Sequence, residues 1–160
     1  MLDVAPHDGG AASPVELIGQ WRLIATTSGY FTFRERVDSA DFTIGPIVAS
    51  RVRFEVRFDL RGKQRTIKGS VSAKPTKNGR YRWRGTGALL LVSRSQWSFA
   101  LIGDERVAAL INPGSMMTEP GGLILRRVDF SPEGAKSVLG KEFWSLGLDR
   151  SDYRELAWRE

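Results

Sequence analysis

The chain has 160 residues, 41% hydrophobic and 10% aromatic, which suffices for one domain with a real core and excludes disorder throughout. It has no cysteine, and its one histidine, His7, lies in a Gly/Ala/Pro-rich start; disulfides, thiolate metal sites and a cysteine nucleophile are excluded, and no metal or cofactor is expected. The net charge is +6, yet residues 51–84 carry twelve bases against only Glu55 and Asp59, so the remainder of the chain is net acidic.

Residues 1–14 read as a flexible arm, and residues 15–160 as one domain. The start lacks the basic n-region and apolar h-region of a secretory signal, which reads as a cytoplasmic protein, or a periplasmic or outer-membrane-associated one whose leader was removed. No stretch approaches the ~20 apolar residues of a membrane-spanning helix, so the chain reads as soluble. Strand A is expected at about 19–27 and strand B at about 35–45, ending at Gly45-Pro46. The clearest strand is C, where Val52, Phe54, Val56, Phe58 and Leu60 alternate with Arg51, Arg53, Glu55, Arg57 and Asp59. Period two over ten residues means one dry face and one wet face.

Arg61-Gly62-Lys63 turns into strand D, where Ile67, Gly69, Val71 and Ala73 face inward. These are small residues, and the sequence reads them as leaving space. Asn78-Gly79 signals a hairpin into strand E, with Tyr81 and Trp83 inward, bent at Gly85-Thr86-Gly87 and continuing to Val92. Strand F carries Trp97, Phe99 and Leu101; strand G spans about 106–112 and strand H about 122–128. Eight strands in series, joined by short connections, predict an all-β fold: an eight-stranded up-and-down antiparallel β-barrel just wide enough for one small ligand. Ser131 and Pro132 open a C-terminal α-helix over about 132–146, packed outside the barrel, and Leu148, Tyr153, Leu156 and Trp158 read as a last extended piece beside strand A.

Gly19-x-Trp21 opens the first strand and Arg127 closes the eighth. A guanidinium laid over the indole would plug one end of the barrel. This pair, together with segment 146–158 (Leu-Gly-Leu-Asp-Arg-Ser-Asp-Tyr-Arg-Glu-Leu-Ala-Trp), resembles the lipocalins of the calycin superfamily, and within them the bacterial outer-membrane lipocalin and apolipoprotein D branch. The resemblance covers about residues 15–160. Asp104-Glu105-Arg106 stands where that family commonly has Thr-Asp-Tyr, keeping an acid and losing the aromatic. No lipobox cysteine is visible, so lipid anchoring is not carried over.

The resemblance implies a hydrophobic cavity closed at the Gly19, Trp21, Arg127 end and open at the other. Phe54, Val56, Phe58, Ile67, Val71, Tyr81, Trp83, Trp97 and Phe99 are the candidate ligand-binding wall, with packed core as the plainer reading. Tyr30, Phe31 and Phe33 fall in the A–B connection, a lid over the mouth in this family or else a satellite cluster under a loop. The expected function is binding, storage or transport of a small hydrophobic ligand such as a fatty acid, lysophospholipid or isoprenoid.

Two alternatives stand beside it. One is a lipocalin-like isomerase, cyclase or hydratase, for which Glu35, Asp38, Asp41 and Tyr81 qualify by residue type alone; no catalytic pair is identified. The other is a filled barrel acting through its basic face on an anionic membrane surface. Nucleic acid is disfavoured as a partner because Tyr81 and Trp83 alternate inward, away from the arginines. Oligomeric state is open.

Overall fold

The computed structural model describes residues 11–27, 37–60, 62–86, 94–112 and 121–159. Among the described residues ten strands form one sheet: β1 (Ala11–Ala12), β2 (Gly19–Thr26), β3 (Val37–Val48), β4 (Arg51–Leu60), β5 (Lys63–Ser72), β6 (Tyr81–Gly85), β7 (Arg94–Ile102), β8 (Val107–Asn112), β9 (Gly121–Arg127) and β10 (Ala157–Trp158). Strands β2 to β9 pair antiparallel in chain order. The ring closes where β2 meets β9, with Trp21 opposite Arg127 and Leu23 opposite Leu125. The fold is thus a closed eight-stranded antiparallel barrel.

Alternation sorts the side chains into two cores. The interior cluster holds Trp21, Leu23, Phe42, Ile44, Val52, Phe54, Val56, Val71, Tyr81, Phe99, Leu110 and Leu125. An outer cluster holds Ile24, Ala100, Ile102, Val107, Ala109 and Ile124, covered by Ala135, Leu139 and Leu146. The switch within β2 comes from a register shift between Leu23 and Ala25, which turns Ile24 and Ala25 to the outside and Thr26 back toward the interior, opposite Leu123.

Helix α1 (Pro132–Glu142) lies on that outer face. Ser131 accepts a bond from the Gly134 amide at 3.0 Å, Pro132 stands at the first position, and Phe143–Leu146 tighten to a 3₁₀ turn ended by Gly147 at φ 79°. Residues 150–154, expected as extended, form α2 (Arg150–Arg154), because Asp149 and Asp152 cap each other's amides at 2.8 and 3.0 Å. The extended piece is β10 alone, on Ala25 and Thr26 of β2.

Two further expectations shift. Strand β3 runs past Gly45-Pro46 to Val48: its register breaks between Ile44 and Ile47, so the proline sits where no ladder amide is required. Of the expected arm, residues 1–10 lie outside the described residues, but Ala11–Ala12 are paired with Ala100 and Phe99. Strand β6 meets β7 only as far as Trp97, and β1 takes the ladder positions beyond it. The expected lid (Tyr30, Phe31, Phe33) and the continuation of strand E over residues 87–92 also lie outside the described residues. Among the described residues no helix is long and apolar enough to cross a membrane.

Candidate functional site

The base of the barrel is built around one indole. Trp21 is fully buried and its Nε1 donates to the Leu17 carbonyl at 2.7 Å. The Arg127 guanidinium carbon stands 4.0 Å from the ring centroid. Its nitrogens reach three carbonyls: Nη1 to Ile18 at 3.0 Å, Nη2 to Glu16 at 3.3 Å and Nε to Glu105 at 3.1 Å. Burial lowers the Arg127 pKa, and Glu105 and Asp129 oppose that shift, so the group stays a cation.

The contact at the β7–β8 turn runs through backbone carbonyls, including Arg106 O to the Arg127 amide at 2.9 Å. This contact needs no aromatic side chain at 104–106, where Asp104 and Glu105 hold φ of 55° and 65° and Arg106 lies 5.1 Å from the centre of the Phe130 ring. Gly19 is required by two facts: its φ is 143°, and a Cβ there would sit 2.5 Å from Arg127 Nη1. Gly19→Ala should cost about 1–3 kcal/mol by displacing the guanidinium. Denaturant unfolding checks this, and an unchanged midpoint would contradict it.

Above the base, every described member of the expected wall faces inward. Phe54, Val56, Val71, Tyr81 and Phe99 belong to the interior cluster, with Phe58, Ile67, Trp83 and Trp97 half-buried against it. Phe54 meets Trp83 edge-on at 5.8 Å and stacks on Phe99 at 6.0 Å, and Tyr81 lies 5.4 Å from Phe99. The space read at Gly69 is not empty: a Cβ on Gly69 would overlap the Trp83 indole. Glycine clears room for tryptophan from the neighbouring strand, so the lower barrel is packed.

Toward the other end the inward side chains of β4 and β5 are progressively more exposed. Along β4, exposure rises from 0% at Val52 through 4% at Phe54 and 6% at Val56 to a half-buried Phe58. Along β5 the same rows run from a buried Val71 to a half-buried Ile67 and an exposed Arg65. Arg65 pairs with inward-facing Phe58, and Lys63 follows on the same parity. These two bases at the mouth were missed among the charges of the segment. Continuing the Val71, Gly69, Ile67 alternation two and four residues back would have found them. Thr26 is also fully buried near this end, and its hydroxyl has no hydrogen-bond partner.

Of the residues considered for proton transfer, Asp41 is exposed on the outer face, 3.4 Å from Arg22. Tyr81 lies inside, its pKa raised by burial first and by Glu16 second. Glu35 and the Asp38 side chain lie outside the described residues. The basic residues Arg53, Arg57, Lys68, Arg82 and Arg84 are exposed on the wet rows of β4 to β6.

A closed eight-stranded antiparallel barrel with an arginine over a tryptophan at its base and helix α1 packed outside has the lipocalin fold. The chain is similar in fold to the siderocalin Ex-FABP, reported to function through dual ligand specificities (9% identity over 89% of this chain and 92% of that one, TM-score 0.55). It is likewise similar to apocrustacyanin C1 (11% identity, 89% and 76% covered, TM-score 0.59) and to the odorant binding protein OBP1 (14% identity, 89% and 91% covered, TM-score 0.54). At these identities the likeness is one of fold. No protein-family model and no curated protein matches the sequence.

Proposed function

We propose that this protein binds and carries a small, elongated hydrophobic ligand in the upper half of its barrel, with an anionic head group at the mouth. The observation that carries this reading is the graded exposure of inward-facing side chains, from 0% at Val52 to half-buried Phe58 and Ile67. An apolar tail lying against Phe58, Ile67 and Trp97 leaves water at roughly 25 cal/mol per Å². Arg65 and Lys63, on inward positions of β5, supply charge for a carboxylate or phosphate. The buried, unpartnered Thr26 hydroxyl offers one polar contact to the ligand. Fatty acids, lysophospholipids and isoprenyl phosphates have this form. The names of two fold neighbours, one a siderocalin with dual ligand specificities and one an odorant binding protein, agree with a small-ligand role.

Kinship with the bacterial outer-membrane and apolipoprotein D branch belongs to the same proposal, and rests on Gly19-x-Trp21, Arg127 and residues 146–158.

Solvent extraction of the purified protein is expected to release a lipid, and long-chain fatty acid to shift tryptophan emission through Trp83 and Trp97. Arg65→Glu should weaken fatty-acid binding about tenfold while leaving the matching fatty alcohol nearly unchanged. Saturating fatty acid with no spectral and no thermal-stability response would sink the reading and leave a filled barrel that acts through its surface.

A further inference from the structure

We propose that the closed end of the barrel is a docking surface for anionic lipid bilayers, independent of the ligand site at the mouth. Four aliphatic side chains are exposed at that end: Val15 at 40%, Ile18 at 41%, Ile47 at 46% and Val48 at 42%. The fold sets them along the rim of the closed end, with Ile47 on the row of Val52 and Val48 on the row of Arg51. Ile18 packs over the Gly45 backbone, its Cγ2 within 2.9 Å of where a Cβ would stand, and Ile47 and Val48 follow on the same strand. Val15 lies one turn earlier, its carbonyl accepting the Ile18 amide at 3.3 Å. None of the four side chains belongs to the interior cluster, and Ile18 serves the base plug only through its backbone carbonyl.

The platform is rigid. The β3–β4 connection is a two-residue turn in which Ala49 and Ser50 hold φ of 53° and 62°, and the Ser50 carbonyl accepts the Ala73 amide at 3.0 Å. Presenting Ile47 and Val48 on such a hairpin costs little ordering on binding.

Charge specifies the occupant. Val48 lines an outer groove of about 500 Å³ together with Arg51, Arg53 and Lys68, against the single acid Glu55. Lys74, Lys77 and Arg82 line the neighbouring groove beside the β5–β6 turn. Arg51 is fixed there by bonds from Nε to Ser70 Oγ at 2.7 Å and from Nη2 to the Ser70 and Arg82 carbonyls at 3.0 and 3.1 Å. Of the acids at this end, Glu16 stands between Val15 and Ile18, and it lines a separate groove by the β7–β8 turn together with Asp104, Glu105 and Glu142. An apolar tip with bases along one flank matches the headgroup and upper acyl layers of an anionic membrane, approached with the closed end down and tilted toward the β3–β6 flank. The mouth then points away from the bilayer.

Sedimentation with phosphatidylcholine vesicles containing phosphatidylglycerol, against phosphatidylcholine alone, tests this. Binding to the anionic vesicles only, weakened by added salt, is expected. Ile47→Glu with Val48→Glu should reduce it about tenfold or more. Arg53→Gln, Lys74→Gln and Lys77→Gln should each reduce it about fivefold. All these side chains lie outside the interior, so thermal unfolding and fatty-acid binding should stay unchanged, which separates this proposal from the carrier reading. Equal binding to both vesicle types, or no binding, would overturn it. So would a loss on replacing Tyr30, Phe31 and Phe33 by serine with none in the Ile47/Val48 variant. A concentration-dependent dimer abolished by Ile47→Glu would give the patch to a second copy and overturn it as well.

Discussion

Trp21→Ala is expected to lower stability by about 3–5 kcal/mol, the cost of emptying a fully enclosed aromatic site. The indole is 0% exposed, fills the base of the barrel and ties the Leu17 carbonyl through Nε1. Its loss leaves a void beside Leu17 and frees that carbonyl. Arg127→Ala should cost less, about 1–3 kcal/mol, because water can replace a guanidinium at the three carbonyls it now serves. Arg127→Lys keeps the charge but cannot span Ile18, Glu16 and Glu105 at once, so it should recover only part of the loss. Urea unfolding of the two alanine variants and the double variant yields the coupling between the side chains, expected at about 0.5–2 kcal/mol for a stacked cation. Strict additivity would mean that the 4.0 Å approach of guanidinium to indole is incidental.

Gly69→Ala carries the second large effect, and it acts on stability and ligand binding together. A Cβ at this position overlaps the Trp83 ring and comes within 2.7 Å of the Arg84 carbonyl, which is backbone and cannot swing aside. Overpacking of this kind costs about 1–3 kcal/mol. The indole, edge-on to Phe54 in the interior cluster against which Phe58 and Ile67 also pack, must shift to admit the methyl group, and the ligand is proposed to lie against that cluster. Tryptophan emission should therefore change in the unliganded protein, and fatty-acid affinity should fall about tenfold or more, for lost apolar contact area. Adding Trp83→Leu should restore only the part of the stability lost to the indole, since the close approach to the Arg84 carbonyl remains. A Gly69→Ala protein with unaltered emission and affinity would show that the strand opens to accept the methyl group, and that Trp83 does not floor the binding space.

The residues differ in how plainly the chain announces them. Alternation from Val52 to Leu60 is a local property, and it assigned one row to the interior and the arginine row to solvent without knowledge of any neighbour. Trp21 and Arg127 are far apart in sequence but were legible as a pair, because a glycine two residues before a tryptophan and an arginine closing the last strand have few shared explanations. Gly69 was misread for the opposite reason. A glycine shows that a side chain is missing, while what occupies the space depends on the neighbouring strand, here Trp83, which stands opposite Val71 and reaches over Gly69. Arg65 and Lys63 were hidden among twelve bases, although strand parity alone separates these two from the exposed outer rows. Ala11–Ala12 carry no strand signal at all. Their pairing follows from where β6 leaves the edge of β7.

Period, turn chemistry and end motifs thus sufficed for a closed antiparallel barrel with a helix outside, since each is carried by residues adjacent or nearly adjacent along the chain. Register breaks, by contrast, arise from contacts between distant strands. Those at Leu23/Ala25 and Ile44/Ile47 turned Thr26 inward and left Ile47 and Val48 bare at the base. Where the barrel is filled, where it opens and which surface it offers came from the packing of side chains that meet only after the first and last strands have joined.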